Sequence, residues 1–283
     1  TKAPQGYFIP RLAVGGLATV TSVVLYDLIA RGLGADKASV ASDPAIWDSD
    51  WETAPRPGGG GSGRADKKLL ASLRKGGDPY VDRRHVIFVR HAQAGGDADA
   101  LSAEGKRQAE LSGERLQQLF GEGVSAVYYA ASPEAKATAK IIHTHLSKGL
   151  KKDEVPALAE SSLLGEGVPV LPSPLPDALK DVPQAEVKAD SARAEDAFDA
   201  LIWRPRGSPA EQPGLTSVEV VVGPGNVMRY LVCRALQLPS SAWSRLAANH
   251  CTITWLDIGC DGDITLREFG GVGHLPPELL TYF

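Results

Sequence analysis

Sulfur is scarce in this chain of 283 residues, which holds three cysteines, Cys233, Cys251 and Cys260, and one methionine, Met228. The cysteines form neither a CxxC pair nor an even framework. That excludes a zinc ribbon and a disulfide scaffold, and it fits buried thiols in a reducing compartment. Charge of one sign is not in excess, since 30 basic residues face 34 acidic ones along the chain. No field able to gather nucleic acid results, so no nucleic-acid partner is expected. His85, His143, His145, His250 and His274 show no metal-ligand spacing, and the pair His143 and His145 would fall on different faces of a helix. Neither a metal nor a cofactor is expected.

Long apolar runs are also missing, with one exception, Leu12 to Tyr26. Extended through Asp27 to Ala30, it would make about 28 Å of helix at 1.5 Å per residue, just enough to cross a hydrocarbon core. It reads as a single transmembrane helix over about residues 12–30, although a buried core helix or a signal-peptide core would share its pattern. Gly15 and Gly16 would give that helix a small-residue face for a partner helix, and basic residues on both flanks leave its orientation open. A chain that begins at Thr1 is read as having lost a presequence.

Glycine and proline are plentiful, at 30 and 20 residues, and they predict long irregular connections. The chain is read as an N-terminal segment (1–34), a linker (35–82) containing "RPGGGGSGR", and a globular domain (83–283). Within the linker lies "WDSDW", in which Trp47 and Trp51 flank Asp48 and Asp50. Exposed indoles there predict a docking site for a partner, because aromatic anchors concentrate binding energy; the open alternative is that they fold back on their own domain.

Beyond residue 82 strands and helices alternate. Val86 to Val89 reads as a buried strand, Ser102 as the cap of a helix over 103–120 with Glu104 in its first turn, and 126–131 as a strand. Helices are predicted over 133–146, 190–203 and 227–236, a strand over 218–222, and a hairpin from 251–258 to 263–269. This pattern predicts an α/β three-layer sandwich around a mainly parallel central sheet.

Four stretches in order, "VIFVRHAQ", "LSAEGKRQAELSGERL", "LLGEGVP" and "NVMRYLVCRALQLP", resemble the histidine phosphatase (phosphoglycerate mutase-like) superfamily over about residues 83 to 278. The tryptophan segment and apolar run look most like the mitochondrial membrane-anchored serine/threonine protein phosphatase branch, in which a similar motif mediates self-assembly. The resemblance implies that His91 is the nucleophile that becomes phosphohistidine, Arg90 the first phosphate-holding arginine, and Glu166 the acid and base. It also implies mitochondrial inner-membrane localisation with a single pass.

Two positions depart from the family pattern. Glu134 stands where the resemblance calls for a second arginine, and Pro224 stands where it calls for a second histidine. Lys136 lies about 200° round a helix from position 134 and is a poor substitute. Each charge-assisted hydrogen bond to phosphate is worth about 1.5–3 kcal/mol, so two losses remove about 3–6 kcal/mol, a factor of about 10² to 10⁴. The expectation is therefore a catalytically inactive protein serving as a membrane-anchored accessory subunit of a large complex, either respiratory chain or ATP synthase. The alternative is an active mitochondrial serine/threonine protein phosphatase working through a phosphohistidine on His91, with Lys136, Lys140 or a partner's arginine replacing the lost donors.

Overall fold

The structure, a computed structural model, describes residues 47–48, 51–52, 79–96 and 100–282. All lie in the compact unit Trp47–Phe283. The expected transmembrane helix over 12–30, Gly15, Gly16 and Asp50 lie outside the described residues. Among the described residues no helix is long and apolar enough to cross a membrane.

Six strands form one mixed sheet in the order β3-β2-β4-β1-β5-β6. They are β1 (Arg83–Arg90), β2 (Val124–Ala130), β3 (Ala157–Ser161), β4 (Thr216–Gly223), β5 (Ile253–Gly259) and β6 (Ile264–Gly271). Strand β1 runs parallel to β4, and β2 runs parallel to both β3 and β4. Only β5 runs against the others, pairing antiparallel with β1 and β6. The predicted parallel character thus holds for five strands, with β5 reversed by the hairpin into β6.

Four helices complete the fold: α1 (Ala103–Phe120), α2 (Pro133–Leu146), α3 (Gln184–Leu201) and α4 (Gly225–Ala235). Helix α1 packs on α2 and α3 on α4. Val86, Ile87, Phe88 and Val89 are all buried, and since consecutive strand residues face opposite ways, both sheet faces must be covered. Local chemistry sets the helix starts. Ser102 Oγ accepts from the Gly105 N–H at 2.9 Å, while Ser132 caps α2 with Pro133 following it.

Strand β3 escaped the sequence reading because it is an exposed edge with little apolar alternation. Helix α3 begins at Gln184 rather than 190, because its first turns carry exposed polar residues and show no apolar stripe.

The tryptophan segment behaves differently from the expectation of two exposed indoles. Trp51 is only 3% exposed, meets Phe198 edge-on at 6.2 Å between ring centroids, and donates Nε1–H to the Gly262 carbonyl at 2.8 Å. Burial of a large aromatic ring with its N–H satisfied makes it part of this domain's own core. Trp47 remains 37% exposed, while the Asp48 backbone exchanges hydrogen bonds with the Gln237 side chain at 3.0 and 2.8 Å.

Candidate active site

Strands β1 and β4 end side by side, and the His91 N–H donates to the Gly223 carbonyl at 2.9 Å. In open α/β sheets this carboxyl end, where the strand order reverses direction, is where ligands bind. Arg90 and His91 emerge there. His91 Nδ1 lies 3.0 Å from the Ala92 carbonyl, an oxygen that can only accept. In the neutral ring Nδ1 therefore carries the proton, and Nε2 keeps a lone pair for attack.

Arg90 spends Nη1 on two carbonyls, Ala248 at 2.6 Å and Tyr282 at 2.9 Å. Its Nε is buried without an acceptor among the described residues. Burial lowers its pKa, and the nearby Glu166 charge opposes that shift.

Glu166 faces the same space. Burial raises its carboxyl above the usual range, against the pull of His91, the Gly167 N–H, Arg90 and Arg229. A carboxyl whose desolvation outweighs the pull of neighbouring cations stays protonated to higher pH and can serve as a proton donor. Its loop is held from α3. Arg193 Nη2 donates to the Glu166 carbonyl at 2.7 Å and pairs with Asp190, while the Val168 N–H donates to Asp190 Oδ2 at 2.7 Å. A Cβ on Gly167 would lie 2.3 Å from that Asp190 oxygen, so only glycine fits the clamp. The following loop is pinned too, since Trp243 Nε1 donates to the Val170 carbonyl at 2.8 Å.

Two cationic or donor groups in the site were missed by sequence reasoning. Arg229 lies in the quoted "NVMRY" stretch. It donates Nε–H to the Gly225 carbonyl at 3.2 Å and Nη1–H to the Leu246 carbonyl at 3.0 Å, and stacks over Trp243 at 4.9 Å. Burial lowers its pKa, Arg90 adds to that, and Glu166 opposes it, which places all three charges in one neighbourhood. His250 lies with its ring centroid 5.7 Å from that of His91. No spacing signal announces it, since 159 positions separate the two histidines in the chain.

The two departures also take their places. Glu134 sits in the first turn of α2, where the Thr138 hydroxyl donates to its carbonyl at 2.7 Å and accepts from the Ala92 N–H at 3.0 Å. Pro224 is the N-cap of α4 and makes no side-chain cap. Lys136 Nζ lies 3.3 Å from Glu160 at the exposed edge of β3, so it is engaged away from His91 and does not replace the lost arginine. Among the described residues no cluster of three or more His, Cys, Asp or Glu could hold a metal.

A sheet of this order with an Arg-His pair at the end of β1 and a glutamate beside it defines a protein of the histidine phosphatase class. No family model matches the chain. It is 34% identical to "Serine/threonine-protein phosphatase Pgam5, mitochondrial" of Drosophila yakuba, over 84% of this chain and 82% of that protein. It is 32% identical to the rat protein of the same name, over 96% and 97%. Among solved structures, the phosphoglycerate mutase of Plasmodium falciparum is 31% identical, with TM-score 0.48, over 71% of this chain and 99% of that one. The chain belongs to the Pgam5 family of serine/threonine-protein phosphatases.

These relatives overturn the expectation of a catalytically inactive accessory subunit, because proteins alike over nearly the whole chain are named as phosphatases. The count of lost donors behind that expectation included neither Arg229 nor His250, both of which stand close to the Arg90-His91 pair.

Proposed function

We propose that this chain is a mitochondrial serine/threonine protein phosphatase that transfers the phosphoryl group through His91. The observation that carries this reading is the His91 ring, its Nδ1 held on the Ala92 carbonyl and its Nε2 left as the nucleophile beside Arg90 and Glu166. Nε2 attacks phosphorus while the bond to the serine or threonine oxygen breaks, and the Glu166 carboxylic acid gives that oxygen its proton. A water then bonds to phosphorus, passing a proton to the Glu166 carboxylate, and the phosphorus–Nε2 bond breaks to release phosphate. Arg90 and Arg229 supply positive charge where the equatorial oxygens gather it, which is the main help a protein can give phosphoryl transfer.

The run over 12–30 is read as a single-pass anchor in the inner membrane, and the names of the relatives support the mitochondrial part of that reading. Phosphate release from a phosphothreonine peptide, measured for the native protein and for His91→Ala, tests the activity. Turnover of about 1 per second that disappears in His91→Ala supports it. Release that survives the substitution, or no release from the native protein, defeats it.

A further inference from the structure

The buried imidazole beside His91 is held with more care than a filler of the core requires. His250 and Cys251 form the corner of a turn closed by the Thr252 N–H, which donates to the Asn249 carbonyl at 3.3 Å. Cys251 takes φ 54°, a left-handed conformation that a side-chain-bearing residue adopts only where its surroundings impose it, and such residues cluster at functional sites. The turn is tied to the nucleophile's own strand. The Cys251 N–H donates to the Arg90 carbonyl at 3.0 Å, and the Arg90 N–H donates to the Thr252 carbonyl at 3.4 Å.

The ring's hydrogen positions follow from its partners. Gln108 Oε1 accepts from the Gln93 N–H at 3.0 Å, which orients the amide so that Nε2 donates to the Thr281 hydroxyl at 2.8 Å. That hydroxyl accepts from Gln108, so it has a proton to give, and His250 Nδ1 lies 2.8 Å from it. Burial, helped by Arg90 and His91 and opposed by the Thr281 backbone, pushes the His250 pKa down to about 4, so the ring is neutral. In a neutral ring whose Nδ1 accepts, Nε2 carries the hydrogen. Nδ1 takes the Thr281 contact, and Nε2, the ring's other nitrogen, is not among the polar atoms sealed in the core without a partner.

We propose that His250 donates its Nε2–H to an oxygen of the phosphoryl group as that group passes through His91, from the turn before β5 rather than from the end of β4. This rests on the phosphatase reading above. Pro224, at the end of β4, has no side-chain donor, and the turn before β5 supplies one from a different part of the chain. A neutral donor suits a site that already holds Arg90 and Arg229, because it adds a hydrogen bond without a third buried charge.

The test compares the native protein with His250→Ala, His250→Gln and Thr281→Val, reading both phosphopeptide turnover and orthovanadate affinity by calorimetry. His250→Ala is expected to lower kcat/KM and weaken vanadate about 10- to 100-fold, with the loss in kcat rather than in KM alone. His250→Gln keeps a side-chain N–H and is expected to recover part of both. Thr281→Val, which frees the ring to change tautomer, is expected to fall between. If His250→Ala or, where that variant does not fold, Thr281→Val binds vanadate and turns over like the native protein, the inference fails while the phosphatase reading stands. If native turnover is absent but vanadate binding depends on His250, the phosphatase reading fails and the donor role survives.

Discussion

Arg84 and Arg90 lie six residues apart on the same face of β1, yet they meet opposite surroundings. Arg84 is completely buried. It donates to the Trp203 carbonyl at 2.9 Å, to the Leu201 carbonyl at 3.2 Å and to Glu219, with its guanidinium carbon 3.5 Å over the Trp203 ring. Arg90 commits only Nη1 to protein acceptors and feels the charge of Glu166. Arg84, sealed in the core with both Nη groups spent on the fold, serves stability, whereas Arg90 keeps one Nη free of protein acceptors at the open end of the strand. The strand carries both because its amino end is closed by α3 and the chain after it, while its carboxyl end opens between β4 and the turn at 249–252.

Exchanging the roles would break that comparison. His91→Ala is expected to have the largest effect, a loss of about 10³-fold or more in phosphate release, measured with a phosphopeptide. Arg84→Met leaves Glu219 as an uncompensated buried charge and is expected to cost about 3–5 kcal/mol in chemical denaturation, with little change in the turnover of the molecules that remain folded. Arg90→Met should show the reverse, with activity lost and the denaturation midpoint nearly unmoved.

Glu166→Gln is expected to slow turnover less, about 10²- to 10³-fold. The pH profile gives the sign. The Glu166 pKa is raised by burial, and the acid must be protonated to serve the leaving group. Native kcat therefore falls as pH rises through that raised value, and the limb vanishes in Glu166→Gln. Glu134→Arg restores a cation in the first turn of α2, and a gain of about 10- to 100-fold in kcat/KM is expected from one added charge-assisted contact. The smallest effect sharpens the second contrast in the molecule. Trp47→Ala should change stability by less than about 0.5 kcal/mol, whereas Trp51→Ala should cost about 3–5 kcal/mol.

What could be read from the sequence was whatever local chemistry announces. Helix α1 runs over 103–120 because Ser102 caps it and an apolar stripe follows, and β1 stands where four consecutive apolar residues need cover on both faces. Ordered motifs single out His91, Arg90 and Glu166, and the fold brings the three into one neighbourhood. Strand β3, an exposed edge, and the first turns of α3, polar throughout, carry no such pattern. Trp51 could not be placed by composition, because what buries it, Phe198 and the Gly262 carbonyl, is brought near only by the tertiary fold. The same holds for His250, which reaches His91 through the pairing of β1 with β5. Counting the family's positions one by one recorded two lost donors and had no means of recording groups supplied from elsewhere.

The account stands on phosphorus passing through one imidazole. Stopping turnover of a radiolabelled phosphothreonine peptide within milliseconds and mapping any protein-bound label tests this directly. The predicted result is an acid-labile, alkali-stable phosphoramidate on the peptide bearing His91, absent from His91→Ala. Label on another residue, or phosphate released at the native rate by His91→Ala with no labelled protein, would contradict it.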